Sequence, residues 1–289
     1  MKPLPENVVS ARDLSKVFRD FWGRPRVRAV NGLNLNVQRG EVFGLLGPNG
    51  SGKSTTLKMI LGLLYPTAGD LRVLECSPRD VAVKARIGFM PEDSYLYRYL
   101  SAEETLLFYA GLYGMPASRR RQRTDELLKL AGLEKDRHRR IGEFSKGMAR
   151  RIGLAQALLN DPELILLDEP TSGLDPIGCR QVKDLILDLA RRGRTIIVSS
   201  HHLADMQDVC DRVAILLDGR VCAEGPVAGL LRKSDTVRLT LQGVSEDKLS
   251  GLLAYLERET GARPQVDRTG ETLESLFIRV VTAGRQGAP

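Results

Sequence analysis

The chain has 289 residues, a net charge of +7 and 42% hydrophobic residues, enough for a globular protein with one large domain, or one domain and an appendage. No apolar run approaches the roughly 18 residues that cross a bilayer, and residues 1–6 lack the apolar core of a signal peptide. We therefore expect a cytoplasmic protein. The four cysteines are scattered, without a C-x-x-C pair or a neighbouring histidine cluster, which argues against a disulfide framework and a zinc site.

The positive charge lies mostly in the first 229 residues, with dense runs at 119–123 and 137–140. Solvated helix faces explain such runs, and attraction to an anionic membrane or to nucleic acid explains them as well. Charge alone does not decide between these interpretations.

The first strong element is a short apolar strand at 41–46, followed by a glycine-rich segment and a helical pattern that we expect to continue until Pro66. The segment matches the pattern G-x-x-x-x-G-K-[ST]. It comprises Gly47, Pro48, Asn49, Gly50, Ser51, Gly52, Lys53 and Ser54, and is followed by Thr55. In this pattern backbone N–H groups and a helix N-terminus bind phosphate, the lysine approaches the outer phosphates, and the hydroxyl is a ligand for Mg²⁺. The segment predicts binding of a nucleoside triphosphate.

Further apolar runs predict buried strands at 87–90, 164–167, 195–198 and 213–217, with a hairpin turn at Asp218-Gly219 and a helix at 182–190. Between the first two of these strands, strand signals vanish from Ser101 to about Gly142, and Ser101 to Glu104 reads as a capping box. The pattern predicts an α/β sheet core with an inserted helical subdomain.

Beyond Gly229 the pattern changes to alternating residues at 237–241, a helix at 248–259, and alternation again at 276–281. We predict a first domain at 1–229, with its helical subdomain at about 93–160. A smaller β/α accessory domain at 230–289 ends in a loose tail after Ala283.

Two carboxylates, Asp168 and Glu169, end the strand at 164–167, where an open α/β sheet exposes groups that face ligands. Asp168 can support Mg²⁺, largely through water, and Glu169 can polarise the water that attacks the γ-phosphate. The alternative interpretation of Asp168 and Glu169 is an ordinary acidic turn at the end of a strand. His201 follows the next strand and can donate to the γ-phosphate, although a loop histidine without a role is its simpler interpretation.

A second anion site is predicted where Ser145, Lys146 and Gly147 precede a helix expected at 149–160. Asp175 lies in a separate turn after the carboxylate pair. The order of all these motifs, from the glycine-rich segment to His201, resembles the nucleotide-binding domain of an ATP-binding-cassette (ABC) ATPase over residues 8 to 225. The residues at 145–148 and at 90–92 resemble the corresponding segments of multidrug and ABC-2-type exporters.

The resemblance implies a P-loop NTPase fold, ATP and Mg²⁺ as bound groups, and hydrolysis of ATP. It also implies a second cassette paired head to tail, so that Ser145, Lys146, Gly147 and Asp175 complete the site of the partner. Glu92 stands where the family usually has glutamine, and we expect it to remain a metal ligand. Lys146 and Met148 replace the common glycine and glutamine.

The resemblance further implies an aromatic ring that stacks on adenine. Phe18 fits the pattern best, Phe21 and Trp22 compete with it, and any of the three could instead be packed core.

Three functions remain in competition. The favoured one is an ATPase subunit at the cytoplasmic face of the membrane, energising separate multi-span membrane subunits that dock near the aromatic segment 93–115. A soluble ABC ATPase acting on nucleic acid or ribosomes usually has two cassettes or long inserts, which are not visible, so no nucleic-acid partner is expected. A P-loop kinase would leave Ser145 to Gly147 unexplained.

Overall fold

The computed structural model describes residues 7–93, 95–231 and 245–261. By their contacts the residues form two units, 1–231 and 232–289. The strands of the first unit are β1 (Asn7–Arg19), β2 (Pro25–Gln38), β3 (Val42–Leu46), β4 (Ala68–Val73), β5 (Ile87–Met90), β6 (Leu164–Asp168), β7 (Thr195–Ser200), β8 (Arg212–Leu217) and β9 (Arg220–Pro226).

Helices connect these strands. In the first unit they are α1 (Lys53–Ile60), α2 (Val81–Lys84), α3 (Ala102–Leu112), α4 (Ala117–Leu130), α5 (Lys146–Ala157), α6 (Pro176–Arg191), α7 (Leu203–Val209) and α8 (Val227–Leu230), with 3-10 turns at Glu134–Asp136 and Ile141–Glu143. The second unit is described by α9 (Glu246–Thr260).

A six-stranded sheet in the order β5-β6-β7-β3-β8-β9 forms the centre of the first unit. Its strands are parallel except β9, which pairs antiparallel with β8 through the predicted hairpin turn. Both turn residues, Asp218 and Gly219, have positive φ angles, as a tight two-residue hairpin of this hand requires. The predicted sheet core and hairpin are therefore confirmed.

Alternate residues of each central strand pack on opposite faces of this sheet. Leu164 and Leu166 of β6 face a cluster shared with α1, β1 and β2, whereas Ile165 and Leu167 face a cluster built with the helices α3 to α7. Because both faces are covered, the strands are continuous apolar runs in the sequence. The sheet is the middle layer of the unit.

A second, three-stranded antiparallel sheet in the order β2-β1-β4 covers the first of these faces. The sequence interpretation did not predict it. Its longest pairing, β1 with β2, is interrupted by several register shifts, and these irregularities break the strict alternation by which a half-buried strand is recognised.

Helices α3, α4 and α5 form the helical subdomain, and the predicted capping box is present: Ser101 and Glu104 each bond the backbone N–H of the other. Several predicted helix boundaries were wrong, among them the start of the helix predicted at 182–190, which is present as α6 and begins at Pro176. Helix α5 begins at Lys146 instead of Ala149, with Ser145 as its N-cap. Helix α1 ends at Ile60, well before Pro66, because Gly62 adopts a positive φ of 69° and breaks the helical path.

The helix predicted at 248–259 is present as α9, and the predicted strands at 237–241 and 276–281, like the tail after Ala283, lie outside the described residues. Within the described ranges, no helix combines the length and the apolar character needed to cross a bilayer. All four cysteines are free thiols.

Candidate functional site

The glycine-rich segment forms the loop between β3 and α1, with Pro48, Asn49 and Gly50 exposed at its tip and Thr55 in the first turn of α1. Gly52 is the N-cap of α1 and has a φ of 104°. A Cβ atom at Gly52 would lie 2.4 Å from the carbonyl oxygen of Ala29 on β2. Only glycine fits this position, because a side chain would collide with that backbone and strain its own.

The loop is fastened to two neighbouring strand ends. The N–H of Gly47 donates to the carbonyl oxygen of Ser200 at the end of β7 (3.3 Å), and the N–H of Gly219 donates to that of Ser51 (3.2 Å). The carbonyl oxygen of Gly219 in turn accepts from the N–H of Asn31 on β2 (2.8 Å). The shape of the loop is therefore fixed by the β8–β9 turn as well as by its own sequence.

Lys53 is the buried cation of the site. Its Nζ atom donates to the carbonyl oxygens of Gly47 (2.7 Å) and Pro48 (3.3 Å) and lies 3.3 Å from Oε1 of Glu169. The side chains of Lys53 and Glu169 are both almost wholly buried. Burial of two opposite charges is tolerated because each neutralises the other.

Ser54 and Asp168 are in direct contact, although they are 114 positions apart in the chain: the Ser54 hydroxyl donates to Oδ1 of Asp168 at 3.1 Å. The same Oδ1 accepts from the hydroxyl of Ser199 at 2.5 Å. Sequence reasoning assigned no role to Ser199. The signal in the sequence was a small polar residue at the end of β7. The parallel register places this residue, Ser199, beside Asp168.

Glu169 is held in a strained backbone conformation, with a φ of 48°, which costs a residue other than glycine about 1–3 kcal/mol. Its N–H donates to both the hydroxyl (3.0 Å) and the carbonyl oxygen (3.2 Å) of Ser199. Its Oε2 atom lies 2.8 Å from Nδ1 of His201. Backbone and carboxylate are thus both oriented by β7 and the residues that follow it.

The residues present fit a phosphate and a magnesium ion. The buried hydroxyl of Ser51, inside the loop, has no hydrogen-bond partner among the described residues, so a polar group is ready for an acceptor. Ser54 and Asp168 supply adjacent oxygen atoms, the ligand type that Mg²⁺ prefers. Among the described residues, no group of three or more His, Cys, Asp or Glu side chains could hold a metal ion by itself, so phosphate and water would complete the coordination.

Ser145, Lys146 and Gly147 lie beside Asp175 rather than beside the loop. Ser145 caps α5 by accepting from the N–H of Met148 (3.2 Å), and Asp175 caps α6 by accepting from the N–H of Gly178 (2.7 Å).

The two caps are neighbours. A Cβ atom at Gly147 would lie 3.7 Å from Cα of Gly178, and one at Gly173 would lie 3.4 Å from Nζ of Lys146. In the described part of the chain, no hydrogen bond or ion pair joins either cap to Lys53 or Glu169. Among the described residues of a single chain, the two predicted anion-binding regions are therefore not joined by direct polar contacts.

Glu92 lies with its side chain exposed in the loop after β5, and no hydrogen bond or ion pair between described residues joins it to Ser54 or Asp168. The loop is held by Arg150, whose Nη1 atom donates to the carbonyl oxygen of Pro91 at 3.2 Å. Burial lowers the pKa of the Arg150 guanidinium. The negative charges of nearby carboxylates, which include Glu92 and Asp168, have the opposite, smaller effect of raising it. Arg150 is a second residue that sequence reasoning missed.

Phe18 is the aromatic residue nearest the loop along the first hairpin. It pairs with Val27, two residues from the Ala29 carbonyl that touches Gly52, a separation of about 7 Å at about 3.3 Å per strand residue. Phe18 is 39% exposed. Trp22 lies in the turn beyond Pro25, hence more than about 13 Å along the strand from Ala29, so proximity favours Phe18.

The comparisons with known proteins all indicate the same family. The ABC transporter family model matches residues 30–172. An uncharacterized ABC transporter ATP-binding protein of Synechocystis sp. is 40% identical over 288 residues, covering 97% of this chain and 81% of that protein.

Relatives with assigned transport roles are also similar. A fluoroquinolones export ATP-binding protein of Mycobacterium tuberculosis is 46% identical over 230 residues, covering 77% of this chain and 75% of that protein. A Nod factor export ATP-binding protein of Rhizobium sp. is 36% identical over 288 residues, covering 96% of this chain and 91% of that protein.

Among solved structures, a dimeric ATP-binding cassette in a post-hydrolysis state with ADP and phosphate superposes with a TM-score of 0.69 at 29% identity, over 76% of this chain and 98% of that one. A component of an ABC transporter complex from Clostridium perfringens gives a TM-score of 0.70 at 26% identity, over 89% of this chain and 96% of that one. With the phosphate loop, the paired carboxylates and this similarity across most of its length, the chain belongs to the ATP-binding proteins of ABC transporters.

Proposed function

We propose that this chain hydrolyses ATP at the site around Lys53 and Glu169, and that it thereby drives export through separate membrane-spanning subunits. The observation that carries the proposal is the convergence of a buried lysine, a serine–aspartate oxygen pair and a buried, oriented glutamate at one end of the sheet. A cation, a metal position and a base are what phosphoryl transfer to water requires.

Lys53 and the backbone N–H groups of the loop bind the outer phosphates of ATP, and Ser54 and Asp168 would hold the metal. Mg²⁺, when bound, neutralises charge that develops on the phosphate oxygens. Glu169 orients the attacking water and accepts its proton. His201 fixes the orientation of the Glu169 carboxylate through its Nδ1 contact and offers a donor to the γ-phosphate. Ser199 keeps both carboxylates in register.

A second cassette completes the site in this proposal. Ser145, Lys146 and Asp175 are exposed, no hydrogen bond or ion pair between described residues joins them to Lys53, and a solved relative is dimeric with ADP and phosphate. A partner cassette would then present its own α5 N-terminus, whose backbone donors favour an anion, to the ATP bound by this chain. Closure of the dimer around ATP is the proposed power stroke.

The membrane subunits are proposed to dock on an aromatic patch consisting of Tyr95, Tyr97, Tyr99 and Phe108. All four side chains are exposed, and the ring of Tyr97 contacts those of Tyr99 (5.7 Å) and Phe108 (5.6 Å). Exposed aromatic rings in mutual contact, as at Tyr97, Tyr99 and Phe108, are typical of an interface. We propose that the chain works at the cytoplasmic face of the membrane and, like relatives named for export of fluoroquinolones or Nod factor, serves an exporter.

The experiment is affinity purification of the chain from detergent-solubilised native membranes, with mass spectrometry of the proteins that accompany it. A stoichiometric multi-span membrane protein supports the proposal, whereas ribosomal proteins or nucleic acid in its place refute it. Tyr97→Ser with Phe108→Ser should abolish the association without affecting ATP hydrolysis by the isolated chain. Tyr65→Ser, at an exposed tyrosine outside the patch, is the matched control and should retain the association.

A further inference from the structure

The first hairpin, between β1 and β2, ends in two aromatic side chains that project into solvent. Phe21 is 95% exposed and Trp22 is 77% exposed, and their rings meet edge to face with centroids 5.5 Å apart. The proposed catalytic cycle uses neither residue. Large apolar side chains displayed together at a protruding turn cost solubility unless they contact something.

The turn that displays them is well ordered by its own hydrogen bonds. Oδ1 of Asp20 accepts from the N–H groups of both Trp22 (3.0 Å) and Arg24 (2.9 Å), and the Arg19 guanidinium donates to the carbonyl oxygen of Gly23 (2.8 Å). Two backbone hydrogen bonds between Asp20 and residues 23 and 24 close the turn. The backbone conformation of the turn therefore fixes the position at which the aromatic pair is exposed.

Positive charge lies along the hairpin that carries this pair. Arg19, Arg24, Arg26 and Arg28 are all exposed. Within the part of the chain that the structure describes, none of these four guanidinium groups forms an ion pair with a carboxylate. The one carboxylate of the turn, Asp20, is occupied by backbone donors. The hairpin thus presents an apolar tip and, next to it on the two strands, four arginines without an ion-pair partner among the described residues, which we call the arginine collar.

We propose that this hairpin tip binds the surface of an anionic lipid bilayer, with Phe21 and Trp22 entering the interface and the arginine collar resting among the headgroups. Trp favours the membrane–water interface, and clusters of Lys or Arg are attracted to anionic lipids. The combination of an aromatic apolar tip with a basic rim is that of a peripheral membrane anchor.

A convex tip suits a bilayer better than it suits a nucleic acid. Single strands are bound in charged grooves along which several bases stack on successive aromatic rings, whereas here two adjacent rings project from a turn. The collar supplies the charge complementarity that an acidic leaflet needs. The hairpin alone carries this inference, so failure of the proposed transport function would not remove it.

The test uses the full chain, without nucleotide or transport partner, and vesicles of phosphatidylcholine with or without phosphatidylglycerol. Trp22 is the single tryptophan of the sequence, so its emission reports on the tip alone. With phosphatidylglycerol present we expect emission at shorter wavelength, quenching by lipids brominated in the acyl chain, and co-sedimentation that weakens as salt screens the charges.

Arg24→Gln with Arg26→Gln should weaken vesicle binding about 25-fold, because each basic residue near an anionic surface contributes about fivefold. Arg119→Gln with Arg121→Gln removes the same charge from an exposed part of α4 and should bind like the unchanged chain. Phe21→Ala with Trp22→Ala should abolish co-sedimentation. The arginine pair keeps the reporter and gives an answer even if the alanine pair fails to fold.

Three results would overturn the proposal. The first is Trp22 emission that anionic vesicles leave unchanged. The second is equal weakening by the two arginine pairs, which would mean general charge attraction. The third is an emission shift caused without vesicles, either by a single-stranded oligonucleotide or by ATP on the Glu169→Gln chain, which would assign the tip to nucleic acid or to the cassette dimer.

Discussion

Replacing Glu169 by glutamine tests the proposed mechanism most directly. The change keeps the size of the side chain and the strained backbone, and an amide can still bond to His201, but it removes the negative charge 3.3 Å from Nζ of Lys53. A carboxamide cannot accept a proton from water, and loss of a general base costs at least about 100-fold in rate. A 100-fold loss corresponds to about 2.7 kcal/mol in the barrier.

Binding of ATP should respond in the opposite direction. The attraction between Lys53 and Glu169 at 3.3 Å is about 5 kcal/mol at an effective dielectric constant of about 20, before solvation is counted. Without that charge, Lys53 is freer to meet phosphate and the repulsion between carboxylate and phosphate disappears. We expect the variant to bind ATP at least as tightly as the unchanged chain.

The assay is multiple-turnover phosphate release, with ATP affinity measured separately and oligomeric state followed by size-exclusion chromatography. The expected result is turnover at most about one hundredth of the original, with an ATP-bound dimer that accumulates. Glu163→Gln is the matched control, since Glu163 forms ion pairs with Arg86 and Arg39 and takes no part in the site. Turnover by Glu169→Gln within tenfold of the original would refute the assignment of the base.

Three further predictions concern the phosphate loop and the ion pair between Glu163 and Arg86. Lys53→Ala should abolish ATP binding in calorimetry, and unchanged affinity would remove Lys53 from the site. Gly52→Ala, whose Cβ would lie 2.4 Å from a carbonyl oxygen, should lose ATP binding and lower the melting temperature. Gly50→Ala, where the Cβ meets open space, should cost only backbone strain of about 1–2 kcal/mol, and equal effects would contradict the packing argument. The hydrogen bond from Arg86 lowers the pKa of Glu163 to about 2. The ion pair therefore adds about 1 kcal/mol, the value for a solvent-screened pair, to the free energy of unfolding at neutral pH. This contribution is lost as the pH falls from about 4.5 to about 2. In denaturant unfolding, the free energies of unfolding of the unchanged chain and of Glu163→Gln should converge over that pH range. A difference that stays constant with pH would contradict the prediction.

The central sheet was predictable because its strands are buried on both faces and read as continuous apolar runs. The grouping of Lys53, Ser54, Asp168 and Glu169 followed as well, since the loop and the carboxylates both come after parallel strands whose carboxyl ends share one edge. The β2-β1-β4 sheet was not predictable in this way. Its bulges and the positive φ of Asp13 disturb the alternation on which recognition of an exposed sheet depends.

Contacts made through strand register were harder to foresee than motifs. Ser199 is an unremarkable serine in the sequence, and only its pairing opposite Asp168 gives it a role. Arg150 reaches the carbonyl of Pro91 from a helix that begins more than 50 residues later in the chain. The expected roles of Glu92, Phe18 and the Ser145 segment stay predictions, because each depends on a nucleotide or a second cassette.

The fastening of the phosphate loop by Gly219 has a practical consequence for engineering. Exposed hairpin turns are ordinarily good places to insert a tag or to open new chain ends in a circular permutant. Here the turn glycine is buried and bonds to both Ser51 and Asn31, so an insertion between Asp218 and Gly219 would pull directly on the loop. New termini are better opened at Gly114, which is exposed between α3 and α4 and has open space around it.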